Sequence, residues 1–129
     1  MSNLKVGQNF YNEGVKYFLS KKEMANLYNE CSITILLSKN ETFSLPVAES
    51  LMCGTPVVAF KCHGPETIAI DWCCKFFDYG DIDSVANYIK DGLFLTFNKK
   101  KIADEARAKF DLNKKMQEYF DLFKEIVDA

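Results

Sequence analysis

Two glutamates, Glu41 and Glu49, stand on either side of a loop that runs into a predicted helix at Pro46. The start of a helix leaves backbone N–H groups unpaired and carries partial positive charge, so it can hold an anion. Carboxylates beside an anion cannot hold it, but they can accept hydrogen bonds from hydroxyl groups. An anion cradle flanked by hydroxyl acceptors is the physical description of a pocket for a sugar nucleotide.

Each glutamate also has a simpler interpretation when it is considered alone. Glu41 is then a solvated loop carboxylate, and Glu49 is an acid of the kind favoured in the first turn of a helix. Glu49, however, lies between apolar residues at 47–48 and 51–52, where a carboxylate without a partner is costly. Hydroxyl groups of a ligand are one such partner, and a backbone N–H group or a lysine is the structural alternative.

Helix signals and apolar runs define the elements around this loop. Ser-Lys-Lys-Glu at 20–23 matches a capping box and predicts the start of a helix. Pro46 suits a first helical turn, and Gly54 suits the end of the same helix. We expect strands at residues 15–19, 33–37, 56–60 and 73–77, and helices over 20–31, 46–54, 65–70, 81–90, 99–109 and 112–127.

This alternation of strands and helices predicts an α/β fold, a Rossmann-like parallel sheet of about four strands flanked by helices. Ligands of such sheets bind outside the carboxyl ends of the strands. The Glu41 loop and the loop at 62–64 both leave strands at that edge. We therefore expect the two loops to share one crevice.

The last predicted helix carries a continuous apolar stripe. Its large apolar residues recur at spacings of three or four, which places them on one helical face. We expect this face to dock as part of the core rather than to form a groove for a partner. The residues of the stripe are Met116, Tyr119, Phe120, Phe123 and Val127.

Length and charge limit the kinds of protein this can be. The 129 residues suggest one domain, 1–129, and the net charge of −2 offers no basic footprint for nucleic acid. No apolar run approaches the roughly 20 residues that a membrane span needs. The N-terminus does not resemble a signal peptide. These features predict a cytoplasmic protein with no transmembrane segment.

The cysteines favour the same interpretation. Their number is odd, and several lie in apolar contexts, so we expect reduced thiols rather than disulfides. Cys62-His63 and Cys73-Cys74 could ligate zinc, but no spaced Cys-x-x-Cys pair exists, and no metal is expected. His63 is the sole histidine and lacks an orienting partner, which argues against Cys–His nucleophilic catalysis. The cysteines stand at 31, 53, 62, 73 and 74.

The segment Glu-Thr-Phe-Ser-Leu-Pro-Val-Ala-Glu at 41–49, followed by Gly54 and Pro-Val-Val at 56–58, resembles a known signature. It is similar to the Glu-(seven residues)-Glu motif of retaining glycosyltransferases with two facing Rossmann-like domains, the GT-B type. The likeness is to the large group (family 4, group 1) that includes glycogen synthases and many bacterial polysaccharide and glycolipid transferases. The resemblance covers roughly residues 15–127.

The resemblance implies a role for each matching residue. Glu41, the catalytic position, would face the hexose of the donor near its anomeric carbon. Backbone N–H groups of Phe43, Ser44 and Leu45 would meet the sugar and the diphosphate. Glu49 would bind the ribose hydroxyls of the nucleotide. The implied reaction is transfer with retention of anomeric configuration, with no cofactor and no bound metal.

The chain departs from the family pattern at its glycines. The usual Glu-Gly-Phe-Gly-Leu-Pro carries Thr42 and Ser44 in place of the glycines, so either the backbone approaches the sugar less closely or the φ angles are ordinary. The usual Gly-Gly of the next loop is His63-Gly64. The acid expected nearby is Glu66, or it is shifted out of register at position 67. Thr42, His63 and Gly64 are therefore further candidates whose roles stay open.

The family also has an N-terminal acceptor-binding domain and basic phosphate-binding residues before the motif, and neither is recognisable in this chain. We therefore expect a truncated part of a donor-binding domain, inactive alone because half of the pocket is missing. The implied function is hexose transfer from a nucleotide-diphosphate sugar to a polysaccharide or glycolipid acceptor. A cytoplasmic location, peripheral to the inner membrane in the full-length protein, would suit such an enzyme.

Two other interpretations remain open. A Rossmann-like module that has lost catalysis, and serves nucleotide binding or assembly, would fit the altered glycines and the missing partner domain. Another phosphate-binding α/β protein, such as a flavodoxin-like one, would carry its anion site at the loop of the first strand. Here the informative loop follows the apolar run at 33–37.

Overall fold

The computed structural model describes residues 11–12, 15–16 and 19–129, which alternate between short strands and helices. A 3-10 turn at Leu93–Thr96 precedes the two C-terminal helices. In chain order the elements are β1 (Tyr11–Asn12), β2 (Val15–Lys16), α1 (Lys21–Glu30), β3 (Thr34–Leu36), α2 (Leu45–Met52), β4 (Val57–Phe60), α3 (Gly64–Ile68), β5 (Cys74–Phe77), α4 (Ile82–Asp91), α5 (Lys99–Lys109) and α6 (Leu112–Asp128).

Three parallel strands form the central sheet, in the order β3-β4-β5. All four residues of β4 are buried, as expected for a middle strand covered on both faces. Helices follow β3, β4 and β5 in turn, so the predicted α/β class with a Rossmann-like parallel sheet is confirmed. No helix in the described ranges combines the length and the apolar character that crossing a bilayer would require.

The expected fourth strand at 15–19 is not part of this sheet. Its described part, Val15–Lys16, pairs antiparallel with Tyr11–Asn12, and residues 17–18 lie outside the described residues. Only two residues separate β1 from β2, a spacing that favours a local hairpin over a distant parallel pairing. The parallel sheet of the described chain therefore has three strands rather than about four.

Two apolar clusters cover the faces of the sheet. Val57 and Ala59 of β4 pack in one cluster with Leu51 of α2 and Ile102 of α5. The alternate residues of β4 pack in the other cluster with Val85 of α4. Alternation along β4 thus sends successive side chains to opposite faces. The sheet is therefore covered on both faces, and α2, which carries Glu49, packs in the first cluster.

The expectation for the last helix is wrong in one respect. The apolar stripe of α6 exists, but no residue of α6 is buried, and Val127 is 81% exposed. Tyr119 and Phe123 stack on each other along the helix, with ring centroids 6.5 Å apart. A helical period identifies which side of a helix is apolar, but it does not identify what that side lies against. In the described part of the chain, the stripe does not join the core.

The predicted helix start at Ser20 is confirmed by its hydrogen bonds. The Ser20 hydroxyl accepts from the Glu23 backbone N–H (3.2 Å), and the Glu23 carboxylate accepts from the Ser20 N–H (2.6 Å). This is the reciprocal pair of a capping box. The box fixes where α1 begins, and thereby which of its residues face α2.

Two non-glycine residues of the described chain have positive φ angles, Ser44 (72°) and His63 (78°). They stand where the family pattern has glycines. The alternative that the φ angles are ordinary is therefore wrong for Ser44, although Thr42 does have an ordinary φ. His63, with ψ at −66°, adopts the strained form of a γ-turn. Such conformations cost about 1–3 kcal/mol each, and the surrounding structure has to impose them.

The two apolar clusters predict that truncating a buried aliphatic side chain destabilises the protein far more than truncating an exposed one on α6. Ile102→Ala removes a fully buried side chain and should lower the free energy of unfolding by about 2–5 kcal/mol. Val127→Ala truncates an exposed residue of α6 and should change the free energy of unfolding by less than about 0.5 kcal/mol. Urea denaturation followed by circular dichroism measures both. Equal losses for the two variants would mean that α6 packs on the core.

The strained φ at position 63 predicts that a glycine there is stabilising. His63→Gly should raise the free energy of unfolding by about 1 kcal/mol, because relief of the strain exceeds the added entropy of the unfolded glycine. His63→Ala is the matched control, since it removes the imidazole but keeps Cβ and therefore the strain. The same denaturation experiment separates the two, and a gain in the alanine variant would contradict the backbone explanation.

Candidate functional site

Two loops lie against each other at the carboxyl edge of the sheet. The loop after β3 contains Glu41, and the loop after β4 contains His63 and leads into Gly64, the first residue of α3. The Glu41 N–H donates to the Cys62 carbonyl (3.4 Å), and the Gly64 N–H donates to the Glu41 carbonyl (3.0 Å). Glu41 and His63 also form an isolated parallel bridge. The two loops therefore adjoin each other at the edge where the topology predicts a crevice.

Gly64 allows the two loops to approach this closely, because it has no side chain. A Cβ atom at position 64 would lie 2.6 Å from the backbone oxygens of both Glu41 and Thr42. Those atoms belong to the main chain and cannot move aside as the end of a flexible side chain can. The glycine is required here for space rather than for an unusual φ angle. It couples the position of the Glu41 loop to the start of α3.

Glu41 is half-buried, and one of its two carboxylate oxygens accepts a hydrogen bond. Its Oε1 atom accepts a hydrogen bond from the Ser38 hydroxyl at 2.9 Å. Its Oε2 atom accepts from no donor within residues 19–129. One oxygen is thus fixed at the base of the loop, and the other can accept from a hydroxyl outside the chain.

The start of α2 has polar groups without partners in the described chain. The N-cap residue is Ser44, whose side chain does not cap the helix and whose buried Oγ has no partner in the described chain. The backbone N–H groups of Phe43, Ser44 and Leu45 donate to no acceptor there either. Phe43 and Leu45 are exposed, whereas Ser44 is only 4% exposed. The predicted amide donors are therefore unpaired at the edge of the sheet.

Glu49 lies on α2 and faces α1 rather than the sheet edge. Its carboxylate is exposed, and its Oε2 accepts from the Tyr28 hydroxyl at 3.2 Å. Both residues line a cavity of about 310 Å³ between the two helices. The other lining residues are Leu19, Lys21, Met24 and Ala25. Within the described chain the partner of Glu49 is thus a tyrosine, neither the backbone N–H group nor the lysine considered from the sequence. The expected cost of a carboxylate among apolar neighbours does not arise, because the side chain is exposed.

Sequence reasoning missed Tyr28 as part of the site, because its spacing on α1 marked it only as an apolar position. A buried tyrosine usually needs a partner for its hydroxyl, and that rule was the available signal. Burial, and then the neighbouring Glu49 carboxylate, raise the pKa of Tyr28 well above its usual value. The phenol therefore stays protonated and donates to Glu49 throughout the physiological range.

Carboxylates gather around the second loop. Burial, then Glu66 and Glu41, raise the pKa of the Cys62 thiol, so Cys62 stays protonated. The Oε2 atom of Glu66 is buried without a partner in the described chain. The Thr67 hydroxyl instead donates to the Gly64 carbonyl at 2.7 Å, within α3. Of the two positions considered for the family's acid, only Glu66 brings a carboxylate to this loop.

Groups of three or more His, Cys, Asp or Glu side chains that could hold a metal ion do not occur in the described ranges. The nearest basic side chain along the second loop is Lys61, whose Nζ pairs with Asp78 at 2.8 Å. Both members of this pair are exposed, so the pair adds little to stability. Besides amides, hydroxyls and carboxylates, the site offers the ammonium group of Lys21 in the cavity and the imidazole of His63 at the loop contact.

Comparison with known proteins gives local matches to bacterial enzymes. A D-inositol 3-phosphate glycosyltransferase of Xylanimonas cellulosilytica is 36% identical over 53 residues, which are 41% of this chain and 13% of that protein. The enzyme of the same name from Thermomonospora curvata is 44% identical over 48 residues, or 37% of this chain and 11% of that protein. The matches thus span only a small part of the length of these relatives.

A solved structure has a similar fold. The Anabaena protein HepE, crystallised in complex with UDP, superposes with a TM-score of 0.66 at 22% identity. The superposition covers 77% of this chain and 29% of HepE. At this identity the likeness establishes the fold, which is the fold that the residue pattern predicts.

The match to a whole family is broader than either comparison. The sequence model of the glycosyl transferases group 1 family matches residues 6–110, most of the chain. This match includes both glutamates of the motif and both loops at the sheet edge. The chain therefore belongs to the glycosyl transferases group 1 family.

Proposed function

We propose that this chain is the donor-binding portion of a retaining glycosyltransferase, which transfers a hexose from a nucleotide-diphosphate sugar to a polysaccharide or glycolipid acceptor. One observation carries the proposal. Along the chain, the unpaired amides at the start of α2 stand between two carboxylates, Glu41 on the sheet-edge loop and Glu49 on the α1 side of α2, and each carboxylate keeps an oxygen free in the described chain. That arrangement matches the chemistry of a donor whose diphosphate stands between a hexose and a ribose.

The diphosphate would lie at the start of α2. Its oxygens would accept from the N–H groups of Phe43, Ser44 and Leu45, and the partial positive charge of the helix terminus would favour the anion. Fixed amides also stabilise negative charge as it grows on the leaving diphosphate, which is where the reaction needs help. Because these groups can perform that task, we propose no metal and no cofactor.

Glu41 would face the hexose. The Ser38 hydroxyl fixes one oxygen of its carboxylate, so the free oxygen points in a defined direction for a sugar hydroxyl. In this arrangement Glu41 lies near the anomeric carbon and is the catalytic residue. Thr42, His63 and Gly64 adjoin it, and their part is to fix the backbone of the loop.

Glu49 would bind the ribose hydroxyls inside the cavity between α1 and α2. The cavity volume of about 310 Å³ lies at the lower end of the range for small-molecule sites. Leu19, Met24 and Ala25 give it an apolar wall, on which a nucleobase can lie. The UDP bound to the similarly folded HepE supports a nucleotide as the class of ligand.

The acceptor would be bound by a second domain that closes the cleft from the other side. Without that wall, water reaches the sugar, so we propose that the chain alone binds donor but does not transfer it. The catalytic setting that we propose is bacterial synthesis of a polysaccharide or glycolipid. The complete enzyme would work in the cytoplasm, peripheral to the inner membrane.

The first test separates the two glutamates. Calorimetric titration with UDP, GDP and their hexose conjugates should show about tenfold weaker binding for Glu49→Gln with every ligand, since each contains ribose. Glu41→Gln should weaken only the nucleotide sugars, since free UDP and GDP lack the hexose. Glu125→Gln, an exposed carboxylate on α6, is the matched control.

The decisive result for the first test is the behaviour of the wild-type chain. If no nucleotide binds at millimolar concentration, the donor-binding function is wrong for this chain. That outcome would favour a non-catalytic assembly module.

The second test concerns the contact between the two loops. Gly64→Ala places a methyl group 2.6 Å from the Glu41 and Thr42 oxygens, so the loop after β3 has to move. Binding of nucleotide sugars should fall about tenfold or more, as for other misplaced site residues. Amide NMR shifts should change at 41–44 and not at 24–28 on α1. Unchanged shifts at 41–44 would show that the loop tolerates the methyl group.

A further inference from the structure

The hydrogen bond between Tyr28 and Glu49 joins a buried group to an exposed one. Tyr28 is 8% exposed, and its hydroxyl donates to Glu49 Oε2 at 3.2 Å. A carboxylate has about four acceptor positions, so the tyrosine occupies one and leaves the others free. Glu49 is thus held in one orientation on the wall of the cavity while it can still accept further hydrogen bonds.

The backbone of Tyr28 is itself fixed by buried hydroxyl groups. The Thr55 hydroxyl donates to the Tyr28 carbonyl. The Ser50 Oγ lies 2.8 Å from the Thr55 carbonyl and 2.7 Å from the Thr34 hydroxyl. Since a serine has one hydroxyl proton, Ser50 donates to the Thr55 carbonyl and accepts from Thr34. These bonds join α1 to the end of α2 and to β3.

We propose that Tyr28 is a positioning residue, which orients Glu49 so that the cavity distinguishes ribose from sugars that lack its hydroxyls. This inference rests on the proposed function, because it takes the ribose of the donor as the partner of Glu49. It adds a residue outside the glutamate motif, on a different helix, as a determinant of selectivity. Of the other lining residues, Leu19, Met24 and Ala25 offer no hydrogen-bonding side chain, and Lys21 offers donors only, so Glu49 is the carboxylate that can accept from ribose hydroxyls there.

An oriented carboxylate differs from a mobile one in a measurable way. Glu49 is exposed, so without the tyrosine its side chain would sample several rotamers and would lose entropy on binding. Loss of the phenol hydroxyl should therefore weaken only those ligands whose hydroxyls use Glu49. A ligand without ribose hydroxyls should bind to the variant as it binds to the wild type.

The experiment compares UDP and GDP with their 2′,3′-dideoxy forms, using calorimetric titration of the complete chain. The wild type should prefer the ribose forms by about tenfold. Tyr28→Phe should bind the ribose forms about threefold to tenfold more weakly and should bind the dideoxy forms unchanged, as expected for the loss of one hydrogen bond. In a Glu49→Gln background, adding Tyr28→Phe should have almost no further effect.

Tyr88→Phe on α4 is the matched control, because Tyr88 is half-buried among aromatic rings of Phe77 and Phe94 and lies away from the cavity. It should leave every affinity unchanged. Thermal unfolding of both phenylalanine variants checks that each is folded.

The outcomes separate this inference from the function on which it rests. An unchanged preference for ribose in Tyr28→Phe overturns the positioning role and leaves the donor site standing. Equal weakening of ribose and dideoxy forms marks a structural effect and likewise overturns it. If the wild type binds no nucleotide, both proposals fail together.

Discussion

The buried hydroxyl groups of Ser50 and Thr55, whose hydrogen bonds are costly to lose, set the placement of α1, α2 and β3. Ser50 and Thr55 lie in α2 and just after it, whereas their partners, the Thr34 hydroxyl and the Tyr28 carbonyl, lie in β3 and α1. These hydrogen bonds form only when the three elements meet in one way. In an interior of low dielectric, an unpaired polar group is costly, so a shifted α2 would be penalised. These hydrogen bonds also fix the backbone position of Glu49, because it lies one residue before Ser50.

The sheet edge is governed by a different constraint, which is space. The loops after β3 and β4 come close enough to share backbone hydrogen bonds, and Gly64 has no side chain to keep them apart. Glu49, at one end of the site, is therefore positioned by the hydrogen bonds of buried hydroxyl groups. The Glu41 loop, at the other end, is positioned by close steric contact. Glu41 belongs to the second end, where the Ser38 hydroxyl sets the direction of its carboxylate. The start of α2 connects the two ends.

Much of the fold could be predicted from local signals. The capping box at Ser20, Pro46 in the first turn of a helix and the buried run at 57–60 each determine structure within a few residues, and each is confirmed. The alternation of strands and helices then gave the parallel sheet and the meeting of its two loops. The predicted roles of the glutamates in binding a donor stay predictions.

What the sequence did not reveal depends on contacts between distant residues. The stripe on α6 was visible as a period, but its exposure depends on what lies opposite, which a period does not encode. The strand at 15–19 was recognised by composition, whereas its pairing depends on the competition between a near and a distant partner. Tyr28 was classed as apolar because the residue that its hydroxyl meets lies 21 positions further along the chain.

The left-handed backbone at Ser44 and His63 has a consequence for how such chains are recognised. A search pattern that demands glycine at these two places would pass over this sequence, although its main chain turns there in a way that glycine ordinarily provides. At these positions this chain keeps the turn without the residue that ordinarily forms it, so the neighbouring contacts have to hold it. A sequence model that extends over residues 6–110 still recognises this chain, because it does not depend on two positions alone.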